Sequence, residues 1–158
     1  MKSLTHLDED GHPRMVNVGE KPDTNRMARA EGTVRMSAEA LARISSGAVA
    51  KGDVLAIARL AGIQGAKRTS DLIPLCHPLP IDGVEVVVEA CVNQCLVRIE
   101  SVVRTRWRTG VEMEALMAVN AAALTIYDMV KSIDRGMSIE GVRLLEKRGG
   151  RSGVWKAE

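Results

Sequence analysis

V-E-V-V-V-E-A-C-V-N-Q-C-L-V-R-I-E, running from Val84 to Glu100, alternates almost without a break. Val84, Val86 and Val88 fall on one side and Glu85 and Glu89 on the other. After Asn93-Gln94 the same period returns, with Val97 and Ile99 opposed by Arg98 and Glu100. A period of two in β-branched residues marks strands with one face on a core and one in solvent. The stretch therefore predicts an antiparallel hairpin, Val84–Cys91 and Leu96–Arg106, entered through a turn at Asp82-Gly83.

Downstream of the hairpin, Gly110 to Asp134 holds no proline and no internal glycine, which predicts one long helix of about 24 residues. Gly136 stops it, Ser138–Glu146 makes a final strand, and the basic run Lys147–Gly153 ends the fold. Upstream, Arg29–Met36 reads as a strand. Ser37 is placed to cap a short helix, Ala38–Ser46, that Gly47 terminates. Asp53 caps a longer helix reaching about Lys67. Strand, helix, strand, strand, helix, strand predicts an α+β, ferredoxin-like sandwich, an antiparallel sheet with helices packed on one face. The short helix at Ala38 is then an insertion. Residues 1–26, with Gly11, Pro13, Gly19 and Pro22, read as an irregular N-terminal arm, and 27–158 as a single α+β domain.

Composition narrows the function. The chain has no Phe, one Tyr and two Trp, so its core is aliphatic. Few aromatics also argue against single-stranded nucleic acid, which needs stacking platforms. A net charge of +2 is too small for a general polyanion binder. No apolar run approaches the roughly 18 residues that span a bilayer, and the N-terminus lacks a signal peptide's apolar stretch. Three cysteines fit a reducing cytoplasm better than a disulfide scaffold. The expectation is a cytoplasmic protein with no nucleic-acid or membrane partner.

The chemistry concentrates just before the hairpin, in G-A-K-R-T-S-D-L-I-P-L-C-H-P-L-P-I-D-G, Gly65–Gly83. Pro74, Pro78 and Pro80 each push the preceding residue out of the helical region, so Ile73–Ile81 should be stiff and extended. A histidine held there, His77, loses little backbone freedom on meeting a ligand and can donate, accept or carry a proton. Cys76 and His77 point to opposite sides of such a segment, and no second chelating motif joins them, because His6 and His12 lie in the arm. No metal site is predicted, and Cys76 reads as a small apolar residue beside a site. Lys51 stands just outside a helix N-terminus, an arrangement that favours anions. Asp128 and Lys131 share a helix face within an apolar stretch, and partial burial there would shift both as an acid/base pair needs. Glu112 and Glu114 point about 200° apart, so at most one faces a given pocket. K-R-G-G-R-S-G, Lys147–Gly153, lacks the Walker A pattern.

K-R-T-S-D-L-I-P-L-C-H-P-L (Lys67–Leu79) resembles the most characteristic segment of the molybdenum cofactor biosynthesis protein C family, the cyclic pyranopterin monophosphate synthases. The resemblance extends through K-G-D-V-L-A-I-A-R-L-A-G-I-Q (Lys51–Gln64), T-G-V-E-M-E-A-L (Thr109–Leu116) and A-A-L-T-I-Y-D-M-V-K (Ala122–Lys131), in order over nearly the whole chain. It implies the same fold and conversion of a 3′,8-cyclo-7,8-dihydroguanosine triphosphate to cyclic pyranopterin monophosphate and pyrophosphate. It implies Asp128 as general acid/base, with Lys51 and Lys131 as its proton-transfer or charge-stabilising partners. Leu75, Cys76, His77, Met113 and Glu114, with Glu112 close by, would line the base end of the substrate. Lys67, Arg26 and Lys147 would meet phosphates, and Lys21 matches a further basic position. It also implies a homo-oligomer, a hexamer built from dimers with sites at the dimer interface. No cofactor is legible, and Mg²⁺ accompanying the triphosphate is left open. The rival class is a non-catalytic, nucleotide-triphosphate-sensing ferredoxin-like module, in which Asp128 would repel the ligand. Two departures stand out. Asn17 replaces the family's usual Asp, and Arg106-Trp107 stands where small or polar residues are common.

Overall fold

The computed structural model describes residues 7, 8 and 10–158; the start of the arm, His6 included, lies outside the described residues. Five strands form one sheet: β1 (Thr24–Arg35), β2 (Gly83–Cys91), β3 (Leu96–Trp107), β4 (Ser138–Arg148) and β5 (Trp155–Lys156). Their order is β2-β3-β1-β4-β5, every pair antiparallel. Helices α1 (Ala38–Ser45), α2 (Val54–Lys67), α3 (Thr69–Leu72) and α4 (Glu112–Val130) complete the element list. With α2 and α4 on one face of the sheet, this is the α+β, ferredoxin-like arrangement that the element order predicts.

The alternation reads out as expected. Val86, Val88, Val97, Ile99 and Val103 are buried, while Arg98 pairs with Glu89 and Arg104 with Glu85 on the open face. The hairpin turns through one 3₁₀ turn, Val92–Gln94, with Cys95 left-handed at φ 52°. Ser37 caps α1 by accepting from the Ala40 N–H, and Asp53 caps α2 by accepting from the Ala56 N–H.

Several boundaries move. β1 begins at Thr24, five residues ahead of the expected strand and inside the expected arm, because Thr24 to Arg35 pair continuously with Trp107 to Leu96. α4 is shorter than expected, 19 residues. Beyond Val130 the chain tightens, with the Ile133 N–H donating to Val130 O at 2.8 Å, and the Asp134 carboxylate accepts from the Ser37 and Gly136 N–H groups (2.7 and 2.8 Å). α3 was not anticipated, and Pro74-Leu75 form a turn closed by Cys76 N–H donating to Ile73 O (3.0 Å) before the chain becomes irregular. The basic run does not end the fold. Lys147 and Arg148 close β4, and Gly149–Gly153 turn the chain toward β5, with the Gly149 N–H donating to Gly153 O at 3.1 Å. Against expectation, α4 is long and apolar enough by composition to cross a membrane, with mean hydropathy 1.3 over the best window. Half of that window is buried in the structure. Ala115, Ala118, Val119, Ala122, Ala123 and Ile126 are wholly inaccessible, as core residues are.

α2 lies on α4 with glycine at the contact. A Cβ on Gly65 would stand 2.5 Å from Ala121 Cβ and 3.1 Å from Met117 O. On Gly62 it would meet Ala118 O and Val86 Cγ1 at 3.0 Å. Helix propensity alone would make Gly65→Ala stabilising by about 1 kcal/mol. Overpacking the contact costs about 1–3 kcal/mol. Gly65→Ala should therefore lower stability, and Gly62→Ala should lower it less, as read from urea midpoints at constant m-value.

Candidate active site

α2 and α4 are antiparallel neighbours, so the chain leaving α2 crosses the N-terminus of α4. That crossing makes a cavity of about 350 Å³. Leu75, Cys76 and His77 form one wall, Glu112 and Met113 another, and Val16, Val18 and Lys21 of the arm close a third side. His77 is held by the arm, with Nε2 2.7 Å from the Val16 carbonyl oxygen. A carbonyl only accepts, so this bond requires Nε2–H and leaves Nδ1 of a neutral ring as an acceptor.

Cys76 and Glu114 meet beneath this wall, Sγ to Oε1 at 3.6 Å. Burial, then the Glu114 carboxylate, push the Cys76 thiol up to about 11, so it is a thiol and not a nucleophilic thiolate at neutral pH. Glu114 is 3% exposed. Burial raises its carboxyl above the usual range, only partly offset by its backbone and Cys76 hydrogen bonds, and Oε2 has no partner among the described residues. Glu112 takes the other direction, as the helical angle requires. It lines the cavity, approaches Lys147 at 3.7 Å, and folds over Gly110, where any Cβ would collide with its carboxylate.

An adjoining cavity of about 480 Å³ shares Lys21, Thr109 and Gly110 with the first and is strongly cationic. Arg26, Arg108, Arg151 and Lys21 line it. Arg26 donates from Nε to Trp107 O (3.0 Å) and from Nη2 to Arg108 O (3.1 Å). Gly149 and Gly150, both at positive φ, let the β4–β5 loop close on this arginine. A Cβ on Gly149 would collide with Asn25 O, and one on Gly150 with the Arg26 guanidinium.

At the other end of α4, Asp128 sits between two ammonium groups. Lys51 Nζ is 2.8 Å from Oδ2 and Lys131 Nζ 2.7 Å from Oδ1. Lys51 also donates to the Asp128 backbone carbonyl at 2.8 Å. The expected partial burial is absent, since all three side chains are at least half exposed. The hydrogen bonds from Lys131 and then Lys51 hold the carboxyl at about 2, so Asp128 is ionised throughout the neutral range. The triad and the cavities are not one site within one chain. Glu114 and Asp128 are 14 residues apart on α4, about 21 Å along its axis.

Of the residues named for phosphates, Arg26 lines the cationic cavity, while Lys147 pairs with Glu112 and also donates to Ser152 Oγ. Lys67 is exposed at the end of α2 and lines neither cavity. Sequence reasoning missed Val16, Val18 and Arg151, whose arm and loop carry no periodic signal. Asn17 is exposed and accepts from the Gly19 N–H at 2.8 Å, which shapes the arm's own turn. Among the described residues, Asp8, Asp10 and His12 of the arm are near enough together to share a metal, and they line neither cavity.

The family model described as the MoaC family matches residues 15–150. A protein of Thermomicrobium roseum, 58% identical over the whole chain and 95% of its own length, is named cyclic pyranopterin monophosphate synthase. A Roseiflexus protein of the same name is 60% identical over 97% of both chains. A Mycobacterium bovis protein named cyclic pyranopterin monophosphate synthase 1 is 58% identical over 98% of this chain and 90% of its own.

The depressed Asp128 carboxyl is open to direct test. Its contribution to stability is fully present above the unfolded value of 3.8 and is lost as pH falls through about 2. Carboxyl-carbon NMR should show Asp128 titrating near 2, and Lys131→Ala should move the midpoint up toward 3.8. A wild-type midpoint near 3.8 would mean the ion pairs do not form in solution.

Proposed function

The chain belongs to the MoaC family, and on that premise we propose how its residues carry out the reaction. It is an enzyme of molybdenum cofactor biosynthesis, converting 3′,8-cyclo-7,8-dihydroguanosine 5′-triphosphate to cyclic pyranopterin monophosphate with release of pyrophosphate. The base end of the substrate rests among Leu75, Cys76, His77 and Met113, and its phosphates enter the cationic cavity. Closing the cyclic phosphate requires a sugar hydroxyl oxygen to attack the α-phosphorus while the bond to the β-phosphate breaks. The hydroxyl proton goes to a base, and pyrophosphate leaves with the charge. Cations over the triphosphate favour that departure. Arg26, Arg108, Arg151 and Lys21 supply them, and the reading assigns no protein-bound metal.

The observation that carries the catalytic assignment is Asp128 clasped by Lys51 and Lys131. A carboxyl titrating near 2 is a poor acid at neutral pH. Asp128 therefore stays ionised and holds the two ammonium groups in place, and the lysines carry the protons during rearrangement of the purine to the pterin. This narrows the acid/base role expected from the sequence. Glu114 serves from beneath, setting Cys76 and the wall it belongs to.

One centre needs both ends of α4, so the cavities of one copy face the triad of a second across a two-fold interface. Ile57 and Leu60 of α2 and Leu124 of α4 leave apolar surface exposed on the helix layer, which suits such a contact. We place the assembly as a hexamer of three such dimers. Three free cysteines support a reducing compartment, the cytoplasm.

The primary test is incubation with the cyclic triphosphate and detection of pyrophosphate and the pterin product. Tight binding with no pyrophosphate would indicate a nucleotide sensor instead. Asp128→Ala should reduce kcat by about 10²–10⁴-fold with the fold intact by circular dichroism. Lys51→Arg should also fail, because a guanidinium does not release a proton; full activity would reduce Lys51 to an anchor. Mixing inactive His77→Ala with inactive Asp128→Ala after subunit exchange should restore about a quarter of the sites, since half of the dimers are mixed and each has one intact site. No recovery with exchange confirmed by mass spectrometry would place each site within one chain.

A further inference from the structure

Trp107 closes β3 beside the cationic cavity but lines neither cavity itself. Its ring lies under the Arg108 guanidinium, with Cζ 5.4 Å from the ring centroid, within cation–π range. The backbone here is pinned as well, because the carbonyls of Trp107 and Arg108 both accept from Arg26. On its other side Arg108 donates from Nε to Asp23 Oδ1 at 3.2 Å. One carboxylate thus occupies Nε, the indole covers one face of the plane, and the terminal nitrogens, unbonded among the described residues, are left for a ligand in the cavity that Arg108 lines.

The choice of an aromatic partner has an electrostatic consequence. A second carboxylate would orient the arginine equally well, but it would cancel the charge and repel an incoming phosphate. A ring face attracts the cation through its quadrupole and carries no net charge. Trp107 can therefore restrain a long, rotamer-rich side chain while leaving its positive charge available. An arginine already held in place loses less freedom when it meets an anion.

We propose that Trp107 is a positioning residue for the phosphate end of the site, holding Arg108 toward the cationic cavity so that its terminal nitrogens bind the substrate's phosphates and the pyrophosphate product. Trp107 touches no substrate and acts through Arg108. The inference rests on the cationic cavity being where the phosphates bind.

The test is steady-state kinetics on the full-length enzyme with the cyclic triphosphate, together with inhibition by pyrophosphate, in four variants. Trp107→Ser should raise KM and the pyrophosphate inhibition constant about two- to fivefold, the worth of an exposed cation–π contact, and should raise KM more than it lowers kcat. Trp107→Tyr, which keeps a ring face, should recover most of the loss. Arg108→Met should raise both constants further. Adding Trp107→Ser to Arg108→Met should then change nothing more, because the ring has no guanidinium left to hold. If the serine variant does not fold, Trp107→Leu, apolar but without a ring face, takes its place in every comparison. Raised constants in Arg108→Met with wild-type values in Trp107→Ser would overturn this inference alone. So would an additive double variant. Wild-type constants in Arg108→Met would overturn the phosphate assignment of the cavity as well.

Discussion

Contact between α2 and α4 at Gly62 and Gly65 is the constraint on which the functional geometry depends. With no Cβ between them the two helices lie backbone to backbone, and because they are antiparallel each brings one end to the opposite end of the other. The start of α2 sets Lys51 against Asp128, at the last turn of α4. The exit from α2 sets Cys76 against Glu114, in the first turn of α4. A single packing register thus places both clusters. A shift of either helix by one residue would rotate its side chains by about 100° and undo both contacts together.

The two carboxylates on α4 show how environment separates residues of similar intrinsic acidity. Glu114 is buried beside a thiol, with no cation in hydrogen-bond reach among the described residues, and its carboxyl is raised. Asp128 is exposed between two lysines, and its carboxyl is lowered. Desolvation dominates at one end of the helix and charge-assisted hydrogen bonding at the other. The buried group supports a cavity wall, and the exposed one holds two ammonium groups in register.

Much of this was legible in the residue order. Alternation between Val84 and Glu100 predicts the hairpin and its buried face, and Ser37 and Asp53 mark their helix starts because capping is a local rule. Lys51 and Asp128, 77 residues apart, were paired by resemblance and not by spacing, since nothing periodic links a loop lysine to a distant helix. The end of α4 was not readable, because residues beyond Val130 are fixed by tertiary contacts such as that of the Asp134 carboxylate with the Ser37 N–H. β5 was hidden for the same kind of reason. Two residues pairing with β4 make no pattern of their own, and a glycine-rich basic run looks like an ending until Asn25 and Arg26 are seen pressed against it. The arm's part in the first cavity rests on one bond from His77 to a backbone carbonyl, which no side-chain sequence encodes.

A chain with two tryptophans, one tyrosine and no phenylalanine also carries its own optical gauge. Trp155 is 46% exposed on β5 and emits from a largely aqueous setting. Trp107 is half-buried, with a guanidinium on its face. Any event that draws that guanidinium away or shields it changes the field across the Trp107 indole. Occupancy of the basic end can thus be followed in the native protein by emission, without a label, in the presence of unmodified ligands.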